Sequence, residues 1–163
     1  MPFERVRAFV KHYYPEIEPI SFGGRDTSTV EKAAAALGVE PAMIAKSILF
    51  KCKDRFALFV TAGDIRINPK LVKRIMGGQV RMARAEEVEE TTGFKIGGVC
   101  PFALRNPVNI YLDTSMRRFA TVYAASGDDS SAMPVTFEQL QKITKGQEIE
   151  LETAPLLIDS LLN

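Results

Sequence analysis

The first element that the pattern of apolar and polar positions predicts is an amphipathic helix. Its apolar residues recur near a 3.6-residue period and are Phe3, Val6, Val10 and Tyr13. This spacing predicts a helix over residues 3–14 with one face packed against a core. The single histidine, His12, lies off that apolar face, so we interpret it as solvent-exposed rather than as a catalytic base.

Further helices are predicted where a capping signal precedes apolar residues at helical spacing. The signals are Ser28 with Glu31, Asn68 with Pro69, and Thr136 with Gln139. The first two pairs predict helices that begin near residues 29 and 69, and the third predicts a late helix. The acidic run from Glu86 to Glu90 predicts another short helix, which ends at Gly93.

Strands are predicted where apolar and β-branched residues run continuously. Residues 47–52 and 56–61 form two such runs around a short charged turn, so they predict a hairpin in a central sheet. Three more strands are predicted, over residues 108–112, 119–125 and 147–151. We interpret residues 128–131 as a loop and the segment from Thr153 as peripheral.

The composition is that of a single globular domain. The chain has 163 residues, of which 46% are hydrophobic and 25% are charged, so it can bury a sizeable core. Its net charge of +1 excludes a globally basic nucleic-acid binder, and any site for a polyanion must be local. Cys52 and Cys100 have neither metal-ligand spacing nor a disulfide pattern, and no signal peptide or membrane span is recognisable. We expect a soluble, cytoplasmic protein.

The clearest charge asymmetry lies between Ile65 and Arg84, where six residues are basic and none is acidic. The basic residues are Arg66, Lys70, Lys73, Arg74, Arg81 and Arg84. On the predicted helix after Pro69, Lys70, Lys73 and Arg74 share one face, which suits contacts with phosphates. An ordinary solvated helix face is an equally good interpretation.

A glycine-rich loop follows the acidic helix, with the sequence Gly97-Gly98-Val99-Cys100-Pro101-Phe102. Glycine permits positive φ and close approach of the backbone, while Pro101 restricts both its own φ and the conformation of Cys100. Such a loop can press bare backbone against a ligand. The alternative is an ordinary tight turn.

Two polar residues elsewhere are candidates for ligand contacts. Lys46 lies where a turn leads into the first hairpin strand, between apolar residues, so its ammonium group could meet a phosphate. Thr27 stands at the entrance to the second helix. The alternative for Lys46 is an ordinary solvent-facing side chain, and the alternative for Thr27 is a hydroxyl that caps the helix.

Taken together, these motifs resemble the YbaK/prolyl-tRNA synthetase editing-domain family of aminoacyl-tRNA deacylases. The resemblance spans most of the chain and depends on the order and spacing of several segments. They are the helix from Thr27 to Gly38, Lys46-Ser47, Thr92-Gly93-Phe94, Gly97-Gly98-Val99-Cys100-Pro101, Phe119-Ala120-Thr121-Val122-Tyr123 and Ser126-Gly127.

The resemblance implies a single compact α/β (α+β) domain over residues 1–163, with a curved mixed β-sheet flanked by helices. It implies a trans-editing hydrolase that cleaves the ester of mischarged tRNA, with tRNA(Pro) carrying a small wrong amino acid as the expected substrate. It also implies no metal and no organic cofactor. The implied partners are the acceptor end of an aminoacyl-tRNA and, as a further candidate, an aminoacyl-tRNA synthetase.

The resemblance also assigns roles to individual residues. It makes Lys46, Gly97 and Gly98 catalytic, through charge and through backbone N–H groups that stabilise the developing oxyanion. The implied substrate-binding residues are Thr27, Ser47, Val99, Cys100, Pro101, Ser126 and Gly127. The implied tRNA-binding residues are Arg66, Lys70, Lys73 and Arg74. The proton is expected to leave through a ribose hydroxyl of the substrate, because a charged lysine is a poor base.

This mechanism requires Thr27, Lys46 and Ser126 to share one cleft beside the glycine loop. We expect Cys100 to form part of the pocket wall, because no neighbouring base would activate its thiol. The sequence departs from the family at Asp128-Asp129-Ser130-Ser131, where a basic residue and a glycine are usual. That departure leaves open a noncatalytic tRNA-binding or protein-binding module, with a small-molecule esterase as a remote third interpretation.

Overall fold

The structure is a computed structural model that describes residues 1–151. The peripheral segment predicted from Thr153 lies outside the described residues. Within residues 1–151, no helix has the length and apolar character needed to cross a membrane.

The described residues form five α-helices, and each predicted helix is present. They are α1 Pro2–Tyr13, α2 Val30–Leu37, α3 Pro69–Met76, α4 Ala85–Thr92 and α5 Phe137–Thr144. Asn68 caps α3 by accepting a hydrogen bond from the N–H of Lys70 (3.0 Å), and Thr136 forms the predicted capping box with Gln139. The predicted starts of these two helices are confirmed.

The predicted cap of α2 is wrong by one residue. Thr29 is the N-cap, and its side chain accepts a hydrogen bond from the N–H of Lys32 at 3.2 Å. The N–H of Ser28 instead donates to a carboxylate oxygen of Asp26 at 2.9 Å. Adjacent Ser and Thr can both cap a helix, and the Asp26 turn before α2 decides between them.

Eight strands in the described part of the chain form one mixed sheet. They are β1 Ile20–Ser21, β2 Ile44–Cys52, β3 Arg55–Ala62, β4 Arg81–Met82, β5 Asn109–Asp113, β6 Val122–Ala124, β7 Ser131–Val135 and β8 Gln147–Ile149. The order is β1-β7-β6-β2-β3-β5-β8, with β4 paired to β2. The predicted hairpin of β2 and β3, the strand β5 and the late edge strand β8 are confirmed.

The chain around β6 and β7 differs from the prediction. The strand expected over residues 119–125 is only Val122–Ala124, because residues 114–118 form a 3-10 turn. Residues 131–135, of which Ser131 was assigned to a loop, form β7, which pairs with both β6 and β1. Serine and proline have low strand propensity, so the local sequence did not predict β7, which forms through its pairing with β6 and β1.

Helices cover both faces of the sheet, as the mixed α/β architecture predicts. Phe59 and Val60 are adjacent on β3 and fully buried, so they point to opposite faces. Phe59 belongs to the core under α3, with Val72 and Met76. Val60 belongs to the core that includes residues of α1 and α5.

One edge of β2 is incompletely paired. On one side β2 pairs with β3 from Ala45 to Cys52. On the other side, β6 runs parallel to Ile44 and Ala45, and β4 runs antiparallel to Phe50 and Lys51. Among the described strands, none pairs with residues 46–49 on this side. The gap between β6 and β4 opens into a cleft.

Candidate active site

The cleft at the gap has a volume of about 260 Å³. Its walls come from the start of α2, the β2 edge, the glycine loop after α4, and the ends of β6 and β7. The predicted site residues that line it are Thr27, Lys46, Ser47, Gly97 and Val99. Segments far apart in the sequence therefore meet at one place.

Lys46 is held at the cleft by one hydrogen bond and by nearby charges. Its Nζ donates to the carbonyl oxygen of Ile65 at 2.6 Å. Burial lowers the pKa of the Lys46 ammonium, and the carboxylates of Asp64 and Glu31 partly oppose that shift. Arg118 in turn binds Asp64 through two hydrogen bonds of 2.6 and 2.9 Å. The lysine is therefore a positioned, half-buried cation.

The two glycines of the loop have different surroundings. Gly97 has φ +101°, and a Cβ there would lie 3.0 Å from the Cβ of Ser28. A Cβ at Gly98 would lie 2.8 Å from both the carbonyl carbon and the oxygen of Gly127. The loop thus packs backbone against backbone on the turn between β6 and β7, which only glycine permits.

The N–H groups of the loop are not equivalent as ligand donors. The N–H of Gly98 donates to the carbonyl of Lys95 at 3.0 Å, so it closes a turn and is not available to a substrate. The N–H groups of Gly97 and Val99 make no hydrogen bond with the residues that the structure describes. Both residues line the cleft. Gly97 and Val99 are therefore the candidate donors of the loop.

Cys100 and Pro101 lie behind the loop and not in the cleft wall where the sequence placed them. Both are buried, and Cys100 packs in the main core, where its thiol donates to the carbonyl of Phe102 at 3.8 Å. Burial raises the pKa of that thiol to about 12. Cys100 is accordingly protonated at neutral pH and unsuited to act as a nucleophile.

Ser126 and Gly127 are also absent from the cleft lining. Ser126 is fully buried, and Gly127 contacts Gly98 from behind. The expected convergence of Thr27, Lys46 and Ser126 therefore holds for the first two only. The reason is that β6 ends at Ala124, and Ala125 is the last residue of this segment to face the cleft.

Two hydroxyl groups in the cleft lining have no hydrogen-bond partner among residues 1–151. They are Oγ1 of Thr27 and Oγ of Ser47, and both atoms are buried. Thr27 is only 6% exposed, and its N–H is fixed by the carbonyl of Asp129 at 2.7 Å. An unpaired buried hydroxyl costs about 1–3 kcal/mol, which a ligand that hydrogen-bonds to it would recover.

The sequence interpretation missed the apolar part of the cleft. Leu49, Val88 and Val99 form one wall. Met82 and Ile96 also line the cleft, yet they are 61% and 66% exposed, which is unusual for large apolar side chains. The position of Ile96 directly before the double glycine could have indicated that it lines the cleft. For Met82 the sequence has no such signal, because its position depends on the pairing of β4 with β2.

The predicted basic face of α3 is present at the surface. The exposed basic residues are Lys70, Lys73 and Arg74 on the helix and Arg66 before it, and none of the four forms an ion pair within residues 1–151. We call these four residues the α3 basic surface. The positive charge of Arg66 contributes to the lowered pKa of Lys46, so the Arg66 end of this surface lies near the cleft.

Arg81 differs from these four residues, because it is paired with Glu87. Its guanidinium makes hydrogen bonds of 2.8 and 3.0 Å to that carboxylate. Lys51 also approaches Glu87, at 3.3 Å. The charge of Arg81 is therefore largely compensated by Glu87. In this respect Arg81 differs from the α3 basic surface.

The acidic segment after Gly127 forms a hydrogen-bonded turn. Oδ1 of Asp128 accepts hydrogen bonds from the N–H of Ser130 at 3.1 Å and from the hydroxyl of Ser131 at 2.5 Å. Asp129 is exposed near Gly97. Asp128 thus has a local structural role, and Asp129 places a carboxylate beside the cleft. Within the described part of the chain, no three His, Cys, Asp or Glu side chains form a group that could hold a metal ion.

Comparisons with known proteins give a consistent result. The sequence profile of the aminoacyl-tRNA editing domain matches residues 25–143. The chain is 42% identical over 119 residues to the uncharacterized protein YwhH of Bacillus subtilis (strain 168), covering 72% of this chain and 76% of that protein. It is 36% identical over 101 residues to the proline--tRNA ligase of Bacillus pumilus (strain SAFR-032), covering 61% of this chain but 18% of the ligase.

A solved structure extends the comparison to nearly the whole fold. It was described as a proposed trans-editing enzyme for prolyl tRNA synthetase. Its TM-score with this chain is 0.86 at 30% identity, covering 94% of this chain and 98% of that one.

Proposed function

We propose that this chain, which belongs to the aminoacyl-tRNA editing domain family, is a free-standing deacylase that hydrolyses the ester between a wrong amino acid and its tRNA. One observation carries the proposal. Lys46 and the glycine loop line the same cleft, together with two buried hydroxyls that have no partner in the described part of the chain. A positioned cation, unused backbone donors and unpaired hydroxyls suit the polar end of an aminoacyl ester.

Ester hydrolysis requires a positioned water molecule and stabilisation of the negative charge on the carbonyl oxygen. We assign the second task to the N–H groups of Gly97 and Val99, because Gly98 already uses its own N–H. Loss of one such donor typically lowers kcat by about 10²–10³-fold. Thr27 and Ser47 are proposed to hydrogen-bond the aminoacyl group or the ribose.

Lys46 is proposed to bind the phosphate or ribose of the terminal adenosine. Its ammonium already donates to Ile65 and lies near Asp64, so its role is to position and to supply charge. A protonated amine cannot abstract a proton. We therefore retain the route in which the proton leaves through a ribose hydroxyl of the substrate.

The amino acid removed is proposed to be small, and the tRNA to be tRNA(Pro). The cleft volume of about 260 Å³ must also hold the ribose, which leaves little room for a large side chain. Similarity to a proline--tRNA ligase and to the proposed trans-editing enzyme for prolyl tRNA synthetase supports the choice of tRNA. The α3 basic surface is proposed to contact phosphates of the acceptor end, with a synthetase as a further candidate partner.

A deacylation panel tests this proposal. The substrates are tRNA(Pro) and other tRNAs charged with alanine, cysteine, serine or threonine, each compared with spontaneous hydrolysis in buffer. We expect rapid turnover of at least one ester and a loss of at least 10²-fold in the Lys46→Ala variant. Lys53→Ala is a matched control, because Lys53 is exposed at the turn between β2 and β3, outside the cleft lining. Turnover of no ester, or full activity of Lys46→Ala, would refute this mechanism.

The second candidate function is a noncatalytic module that binds tRNA or a protein. Asp129 favours it, because an exposed carboxylate beside the cleft repels the RNA backbone. This candidate predicts salt-sensitive tRNA binding without ester hydrolysis in the same panel, and multiple turnover would exclude it.

A further inference from the structure

The gap in the sheet exposes backbone groups of β2 to the cleft. In a strand, the N–H and C=O of one residue point to one edge, and those of the next residue point to the other edge. The hairpin register identifies which residues point towards the gap. Cys52 and Arg55 flank a two-residue turn and form its closing pair, so Cys52, Phe50, Ile48 and Lys46 direct their backbone groups to β3.

Ser47 and Leu49 therefore direct their backbone groups away from β3. The carbonyl of Leu49 confirms this direction, because it accepts a hydrogen bond from the N–H of Ala83, beyond the end of β4, at 2.9 Å. The N–H of Ser47, the C=O of Ser47 and the N–H of Leu49 have no hydrogen-bond partner among the described residues. Both residues line the cleft.

We propose that the aminoacyl group of the substrate binds as a single β-bridge to the backbone of Ser47. The α-ammonium donates to the carbonyl of Ser47, and the ester carbonyl accepts from its N–H. An aminoacyl ester carries a donor and an acceptor on one residue, which matches the donor and acceptor of one unpaired strand residue. This inference rests on the proposed deacylase function and deepens it.

The bridge places the ester carbonyl between two sources of N–H donors. Ser47 supplies one donor from β2, and Gly97 or Val99 supplies another from the loop, since all three line the cleft. Two converging donors stabilise an oxyanion better than one. Ser47 thus acts through its backbone, and its hydroxyl has a separate role.

Proline and alanine substitutions separate the backbone of Ser47 from its side chain. Ser47→Pro removes the N–H without breaking a hydrogen bond to β3, because that N–H points to the gap. Ser47→Ala keeps the N–H and removes the hydroxyl. We expect kcat/KM of the fastest panel substrate to fall by about 10²–10³-fold in Ser47→Pro and by less than about tenfold in Ser47→Ala. Equal activity of a folded Ser47→Pro variant and wild type would refute the bridge, whereas an inactive wild type would refute the proposed function itself.

A measurement on the wild-type chain covers the case in which Ser47→Pro does not fold. The probe is 3′-alanylamino-3′-deoxyadenosine, which replaces the labile ester by an amide. We expect its addition to shift the backbone amide resonance of Ser47 downfield, while Lys46 and Ile48 move little because their N–H groups bond to β3. A control analogue carries a propionyl group in place of alanyl and therefore lacks the α-ammonium. The bridge is refuted if Ser47 does not shift, or if both analogues bind equally tightly.

Discussion

Gly97 and Gly98 lack a Cβ for different physical reasons. Gly97 needs the positive φ that places its backbone at the cleft, and Gly98 needs the space that the backbone of Gly127 occupies. The sequence predicted a functional role for the pair but could not separate these two structural requirements. The two requirements differ because the turn between β6 and β7 packs against Gly98. This turn includes Gly127, which lies 29 residues farther along the chain.

The two glycines give a paired prediction. Gly98→Ala places a Cβ 2.8 Å from backbone atoms that cannot move aside easily, so we expect the loop to shift and deacylation to fall at least tenfold. Gly97→Ala is strained by its φ and also crowds Ser28. The control is Gly24→Ala, where φ is +92° but no described residue other than its chain neighbours would lie within 4 Å of the added Cβ. Stability should fall in all three variants, but activity should fall only in the two loop variants, as thermal melting and initial rates would measure.

The lowered pKa of Lys46 predicts the pH dependence of tRNA binding. Burial disfavours the charged form, so Lys46 loses its proton, and with it any phosphate contact, at a lower pH than an exposed lysine. We expect affinity for uncharged tRNA, measured by fluorescence anisotropy, to weaken as pH rises through that lowered pKa. Lys46→Arg keeps its charge and should retain affinity at the same pH. Identical pH profiles of the two proteins would contradict this role.

The lowered pKa of Lys46 also affects how folding stability depends on pH. Its effect on stability runs opposite to its effect on tRNA affinity. Between the lowered pKa of folded Lys46 and the usual lysine value, the unfolded chain binds more protons than the folded chain. Stability therefore rises with pH in that interval, through the Lys46 contribution. Replacing Lys46 by Met should remove this contribution, which chemical denaturation at several pH values would detect.

Among the elements, the helices were predictable and parts of the sheet were not. Caps and a 3.6-residue period are local signals, and they located the starts of α3 and α5. The strands β4 and β7 have weak local signals, because β4 has two residues and β7 contains Pro134. Their positions come from pairing with β2 and β6. The cleft is bounded by these strands, so its shape could not be predicted.

The α3 basic surface predicts a salt-dependent contribution to tRNA binding. Each neutralised phosphate contact contributes to the slope of log affinity against log salt concentration. Changing both Lys70 and Lys73 to Gln should lower affinity and make this slope shallower by about one to two units. The matched control is Arg81→Gln, whose charge Glu87 already compensates. An unchanged slope in the double variant would show that α3 faces away from the RNA.

At the scale of the whole molecule, the resemblance predicted the fold and the meeting of distant segments. It brought Thr27, Lys46 and the glycine loop to one cleft, as the structure has them. It misplaced Cys100 and Ser126, because both are adjacent in sequence to cleft residues yet lie behind the wall. Neighbours in a strand or tight loop point in opposite directions, and a sequence motif does not show which direction leads to the ligand.

The stability of the whole sheet depends on its aromatic centre. Phe59 is fully buried, stacks on Tyr111 with a ring separation of 5.0 Å, and meets Phe50 edge to face at 5.4 Å. Phe59→Ala should lower the free energy of unfolding by about 3–5 kcal/mol in urea denaturation. Met82→Ala should have a much smaller effect, because Met82 is mostly exposed. Similar losses in both variants would contradict this account of the core.

The short length of the open β2 edge has a consequence for the protein's selectivity. An exposed strand edge is normally a template on which another chain can add a strand. Here the stretch that no described strand pairs with on the side away from β3 is residues 46–49, and β6 and β4 occupy the edge on either side. In the proposed bridge one amino-acid unit occupies this edge, and we expect the flanking strands to obstruct a polypeptide that continues from its amino group. We therefore expect the short open edge of β2 to prevent hydrolysis of peptidyl-tRNA, and also to limit aggregation through strand addition.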